Sequence, residues 1–214
     1  DKQDFIIHEL KFKIRHAYIE KEFGQCRRLL EKLTSLTGER STIDTQFISL
    51  YDTLLNDNAL SAAETLERLE AALRLTCPKY GKDFVPKVLS YEEIIILNNI
   101  AINYEAVGKR PRAIELLYAI KNYYDRQISS AEESLRTQPM ILYNLSANLG
   151  MAGRYDECIA VCDEAISLAR RTYHTQEPTN MKLSFVVPAQ GLKEVEKILS
   201  DVEDDAFFTL GAKH

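Results

Sequence analysis

The sequence predicts an all-α chain of paired helices, and three observations carry that expectation. Apolar residues recur at the helical period from Phe5 to about residue 172, with few interruptions. Two stretches repeat one frame: Asn99-Ile-Ala-Ile-Asn103-Tyr-Glu-Ala-Val-Gly108 and Asn144-Leu-Ser-Ala-Asn148-Leu-Gly-Met-Ala-Gly153. In each, an Asn is followed one turn later by a second Asn, then by a Gly, then by a small residue, Ala113 or Cys158. The Gly would close one helix and turn the chain, and the small residue would let the return helix pack close. Finally, the 214 residues include only 8 Gly and 6 Pro, with 45% hydrophobic and 28% charged residues, the composition of an ordered, helix-rich chain.

Phe5 to Lys21 and Gln25 to Leu36 form the first expected pair, turning at Phe23-Gly24 with Cys26 in the small-residue slot. Ser41 or Thr42 caps a third helix through Leu55, and Asn56-Asp57-Asn58 turns the chain. Ser61-Ala-Ala-Glu64 reads as a capping box for a fourth helix to about Leu75, with Ala63 near the slot. The stretch from Cys77 to Pro86 reads as a structured loop, because Tyr80, Phe84 and Val85 have side chains to bury. Ser90-Tyr-Glu-Glu93 is a second capping box, opening a helix that ends at Gly108. Pro111 suits the first turn of the next helix, which continues to Ile128. Ser130-Ala-Glu-Glu133 starts another, kinked or restarted at Pro139, and Arg154 to Tyr173 is its return helix. The slots recur at intervals longer than the tetratricopeptide period of about 34 residues, yet the pairing is the same. The expected fold is therefore a tetratricopeptide-like helical-repeat solenoid of about four helix pairs over residues 1–175.

Residues 179–214 change character. Met181 to Pro188 reads as a strand, Gln190 to Leu199 as a helix and Ala206 to Leu210 as a second strand, giving a small C-terminal β–α–β appendage. Phe185-Val186-Val187 before Pro188 argues against one more helical pair.

The formal charge is −5 and no basic run exceeds two residues, which disfavours direct nucleic-acid binding. With no apolar stretch near 18 residues and no leader-like pattern, a cytoplasmic chain with no membrane contact is expected. Cys26, Cys77, Cys158 and Cys162 read as reduced thiols, three of them on apolar helix faces. Cys158 and Cys162 lack further ligands nearby, so no metal is expected. His8, His16, His174 and His214 are scattered, and no phosphate loop, nucleophile elbow or zinc signature occurs. Paired carboxylates such as Glu92-Glu93 belong at helix starts. The Asp201 to Asp205 segment reads as a solvated acidic turn. The chain is expected not to be an enzyme and to carry no cofactor.

The functional candidates are carboxamides. Asn99 and Asn103, and equally Asn144 and Asn148, lie one turn apart on one face of the first helix of a pair, and Asn98 adjoins them. A carboxamide offers both a donor and an acceptor, which suits gripping the main chain of an extended peptide. Tyr143, Ile102 and Ala147 lie near the same face and could supply apolar contacts. The alternative for these asparagines is hydrogen bonding between neighbouring helices. Tyr104, Tyr118, Tyr123, Tyr124 and Tyr143 make an aromatic-rich middle that reads mainly as interhelix packing.

The segment Leu89-Ser-Tyr-Glu-Glu-Ile-Ile-Ile-Leu-Asn-Asn through Ile120, with Tyr143-Asn-Leu-Ser-Ala-Asn-Leu-Gly to Ile166, resembles the tetratricopeptide-like half of Gram-positive transcription regulators of the Rgg/PlcR type. The resemblance spans roughly residues 1–175. It implies a groove that binds a short secreted quorum-sensing peptide, a homodimer, and DNA contact only through an N-terminal helix-turn-helix domain missing from this chain. A start at Asp1 inside helical spacing agrees with such an upstream segment. Residues 179–214 resemble a small uncharacterised β–α–β module of bacterial membrane proteins, which implies no chemistry. The second functional reading is a protein–protein interaction scaffold with no DNA-linked role.

Overall fold

The computed structural model describes residues 2–37, 41–81, 84, 88–126 and 132–175, with side chains described for 137–168 of the last stretch. The expected strands and helix of the 179–214 tail, the start at Ser130 and the side chain of Val85 lie outside the described residues. Those residues form eight α-helices: α1 (Lys2–Ile19), α2 (Phe23–Leu36), α3 (Thr42–Leu55), α4 (Ala62–Arg74), α5 (Tyr91–Ala106), α6 (Arg110–Arg126), α7 (Glu132–Met151) and α8 (Tyr155–Thr175). There is no strand among them. The chain divides into two units, residues 1–123 and 124–214.

In the first unit, α1 packs on α2, α3 on α4, and α4 on α5. Leu10, Ile14 and Ala17 of α1 are buried, as are Cys26, Leu30 and Leu33 of α2. The Cys26 thiol donates to the carbonyl oxygen of Ile14, twelve residues earlier, at 3.7 Å. In the second unit α7 packs on α8 around Ile141, Leu142, Leu145 and Leu149. There the Cys158 thiol donates to the carbonyl oxygen of Ser146, again twelve residues earlier, at 3.2 Å. A Cβ built on Gly150 would sit 3.5 Å from the Cys158 sulfur, so the two helices approach closely at this slot. Ala113, which holds the same place on α6, is fully buried. Pro139 lies within α7, which runs through it as one helix.

Three turns share one hydrogen-bond pattern. Gly108 N–H donates to the Glu105 carbonyl (2.9 Å) and Lys109 N–H to Tyr104 (2.7 Å); Gly153 donates to Gly150 (3.0 Å) and Arg154 to Leu149 (2.9 Å). After α1, Lys21 donates to Tyr18 (3.1 Å) and Glu22 to Ala17 (2.8 Å). This is the Schellman closure, which places one residue in the left-handed region. Gly108 (φ 76°) and Gly153 (φ 73°) fill it without strain, whereas the first turn puts Lys21 there at φ 60°. The first turn therefore lies at Lys21 and not at Phe23-Gly24, and Gly24 sits inside α2. Because the position is exposed and otherwise unconstrained, Lys21→Gly should raise folding stability by about 0.5–1 kcal/mol, while Gly108→Ala should lower it by about 1 kcal/mol. Paired urea melts check both signs.

The α3–α4 connection departs from this closure. Asn56 ends α3 without a positive φ, and a single 3-10 turn (Asp57–Ala59) follows. Arg27 of α2 caps the end of α3, donating to the Leu55 carbonyl (2.9 Å) and to Asn56 Oδ1 (3.1 Å). The extra turn shifts the slot: Ala63 is exposed, and Thr65 is the buried residue, its hydroxyl on Asp57 Oδ1 at 3.3 Å. Both expected capping boxes form, at Ser61/Glu64 and Ser90/Glu93. In the following loop Tyr80 is buried, its ring 5.3 Å from that of Phe84 with Arg74 above it.

Candidate functional site

The asparagines stand on α5, which a capping box opens, and on α7, and both helices are closed by the glycine turns. Asn98 (3% exposed), Asn103 (8%) and Asn148 (8%) are buried, and Asn99, Tyr143 and Asn144 are half-buried. Ile102 is exposed at 40% and Ala147 half-buried. Three of the carboxamides fold an N–H group back onto their own helix. Asn99 Nδ2 donates to the Ile95 carbonyl (2.8 Å), Asn103 Nδ2 to Asn99 (2.8 Å) and Asn148 Nδ2 to Asn144 (2.9 Å). The last two bonds are the same bond at the same place in two repeats. Donation to the carbonyl four residues back is a familiar habit of short polar side chains in helices, and it removes one donor from each of these amides. The oxygens are a different matter: Asn148 Oδ1 is buried and has no hydrogen-bond partner among the described residues. A buried acceptor left unmatched costs on the order of 1–3 kcal/mol, which an incoming N–H would recover.

The tyrosines divide. Tyr104 donates its hydroxyl to Glu70 Oε1 at 2.7 Å, and burial, then the contact with Glu70, lifts its pKa. Tyr123 is buried with its hydroxyl between the N–H (3.3 Å) and carbonyl (3.4 Å) of Leu89. Tyr124 bonds the Thr137 hydroxyl, and both are buried. Tyr118 and Tyr143 are half-buried. Three of the five thus hold helices and loops together.

No family model, curated protein or solved structure matches this chain.

The side chains themselves must therefore carry the functional reading, and two clusters were missed by spacing arguments. On α1, Lys11 pairs with Asp44 at 2.5 Å and lies over the Phe47 ring at 5.2 Å. One turn on, Arg15 sits between the rings of Phe47 (5.7 Å) and Tyr91 (5.4 Å) and meets Glu92 through Nε (2.7 Å) and Nη2 (2.6 Å). The first helices of three successive pairs, α1, α3 and α5, are thereby joined by cations on one side. The second cluster centres on Glu93, which accepts from the Ser90 N–H (2.7 Å), the Thr76 hydroxyl (2.5 Å) and the Cys77 thiol (3.2 Å). Burial, then the neighbouring carboxylate, pushes the Cys77 thiol up to about 12, so it stays protonated and unreactive. A lysine and an arginine one turn apart were the only sequence signal for the first cluster. No group of three His, Cys, Asp or Glu capable of holding a metal occurs among the described residues, and no described helix is long and apolar enough to cross a membrane.

Proposed function

We propose that this chain is the regulatory half of a bacterial transcription regulator, a tetratricopeptide-like solenoid that binds a short peptide or protein segment along its inner helices. In this reading the protein is cytoplasmic and homodimeric, and a separate N-terminal domain contacts DNA. The supporting observation is the duplicated carboxamide arrangement on α5 and α7, with Asn148 Oδ1 buried and unmatched among the described residues. One N–H each of Asn99, Asn103 and Asn148 is committed to the helix, so these asparagines would act chiefly as acceptors for the N–H groups of an extended main chain. The resemblance to Rgg/PlcR-type regulators supplies the link to transcription. Occupancy would act on the DNA-binding half by favouring one set of helix-pair angles over another, which requires the ligand to bind the two sets unequally.

The test is fluorescence-anisotropy screening of the full chain against a library of short labelled peptides. A binder selected in this way should lose at least about tenfold in affinity with Asn144→Ala and with Asn148→Ala. Thermal melting of both variants should stay within about 2 °C of the parent. Failure to find any binder, or variants that melt early while binding unchanged, would discard the reading.

A further inference from the structure

Second helices in the first unit serve two neighbours. α2 packs on α1 and on α3, and α4 packs on α3 and on α5, so each carries the next first helix as well as its own. α8 is the second helix of the last described pair, and its sequence has the same two sides. Cys158, Val161 and Leu168 make the side that meets α7, where the Cys158 thiol donates to the Ser146 carbonyl oxygen. At about 100° per residue, a second apolar row of Tyr155, Ile159, Cys162 and Ile166 lies roughly 110° farther round. Tyr155 is 55% exposed and Ile159 39%, while Cys162 and Ile166 are half-buried. The rest of the helix surface carries exposed Asp156, Asp163 and Ser167. We infer that the second row is the docking site of the chain's own C-terminal segment. The helix expected at Gln190–Leu199 lies antiparallel on it and closes the stack. The inference is independent of the peptide-binding reading, since it uses none of the asparagines.

Three features select this occupant. The chain continues from Thr175, the end of α8, to His214, so the segment is attached to the helix it covers. Tethering gives it a high effective concentration, ahead of any free partner that makes equal contacts. The interval is also one the chain already uses. Thr175 to Gln190 is close to Arg74 to Tyr91, the connection that brings α5 back onto α4. Finally, the two apolar rows match. Leu192, Val195 and Leu199 stand at i, i+3 and i+7, one stripe with Lys193, Glu194 and Lys197 on the opposite face. The ten-residue helix is about 15 Å long, and the row from Tyr155 to Ile166 is about 17 Å. Docked by its stripe, the helix turns Lys193, Glu194 and Lys197 to water, the polar outer face that the terminal element of a stack needs.

The experiment replaces Ile159 of the full chain with photoreactive benzoylphenylalanine and illuminates it at about 1 µM, where weak contacts between chains are sparse. Cross-links within one chain to residues 190–199 are expected. The same label in place of Asp163, on the polar side of α8, should give at most about a tenth as much. Trypsin supplies a second reading, since Lys193 and Lys197 lie in the docked helix. Ile159→Asp should speed cleavage at both at least about tenfold, because proteolysis follows the opened population. Cleavage at Arg154, before α8, should stay unchanged, since Ile159 stands off the side that meets α7. Combining Ile159→Asp with Val195→Asp should open the tail no further than either alone, as two substitutions in one contact do. Should Arg154 open as well, the cross-link alone decides. Links that map outside residues 190–199 or form only between chains, equal labelling from positions 159 and 163, or tail cleavage indifferent to Ile159→Asp would each overturn the inference.

Discussion

Glu93→Ala should cost about 3 kcal/mol of folding stability, and Glu93→Gln roughly half of that. The side chain is buried, and its two oxygens gather the Ser90 N–H, the Thr76 hydroxyl and the Cys77 thiol. The network reaches α3, because Gln46 Nε2 donates to Thr76 Oγ1 (2.6 Å) and to the Ala72 carbonyl (3.1 Å). One carboxylate therefore ties the end of α4 and the start of α5 to the middle of α3. Alanine would strand the part-buried donors of Thr76, Cys77 and Ser90, while glutamine keeps the shape and loses the charge-assisted bonds. The pH dependence separates the two contributions. Burial alone pushes the Glu93 pKa up, but the bonds from Thr76, Ser90 and Cys77 outweigh it and hold the carboxyl below its ordinary 4.5. A depressed folded-state pKa gives stabilisation that is complete above the unfolded value and fades as pH falls through the folded one. The gap between the parent and Glu93→Gln in urea melts should therefore be full at neutral pH and shrink as pH drops below 4.5. A gap of constant size would show that charge has no part in the network.

The residues that made the fold legible act over one or two turns. Ser61/Glu64 and Ser90/Glu93 announce helix starts because the whole capping box lies within four residues. Gly108 and Gly153 announce helix ends because the left-handed position selects glycine. The first turn escaped detection for the same reason in reverse. Lys21 occupies a left-handed site with no residue-type signature, and the visible glycine, Gly24, is an ordinary helical residue. Counting from that glycine misplaced the turn, although the interval from Lys21 to Cys26 equals that from Gly108 to Ala113. Around α3 and α4, counting failed because a 3-10 turn inserted between the helices moved the slot from Ala63 to Thr65. For the asparagines, spacing identified the shared helix face but said nothing of where each amide hydrogen goes. That depends on a rotamer choice between the helix's own carbonyl and whatever lies opposite, and a periodicity argument cannot make it.

Phe47 shows what no local pattern could reveal, and its removal is expected to have the largest effect of any substitution considered. Phe47→Ala should cost about 4 kcal/mol, the range for emptying a fully buried aromatic site. The ring is 1% exposed, lies 4.6 Å from the ring of Tyr51, and faces both Lys11 and Arg15. Tyr51 is buried in its turn, which raises its hydroxyl's pKa well above the ordinary value. The cations on the ring come from α1, and Arg15 continues to Glu92 at the start of α5, a separation of 77 residues. Contacts across such distances leave no trace in helical spacing. Two effects combine at this residue, filled volume and an electron-rich face for two cations, and Phe47→Leu separates them. Leucine keeps most of the volume, so its cost of about 1.5 kcal/mol should come largely from the lost cation–ring contacts, at roughly 0.5–1 kcal/mol each. Hydrogen exchange locates the damage: α1 amides should lose protection in both variants before those of α5, since α5 keeps its contact with α4. If Phe47→Leu were as stable as the parent, with α1 equally protected, the ring would be acting as filler alone, and the anchoring of α1 would rest on the Arg15–Glu92 and Lys11–Asp44 ion pairs.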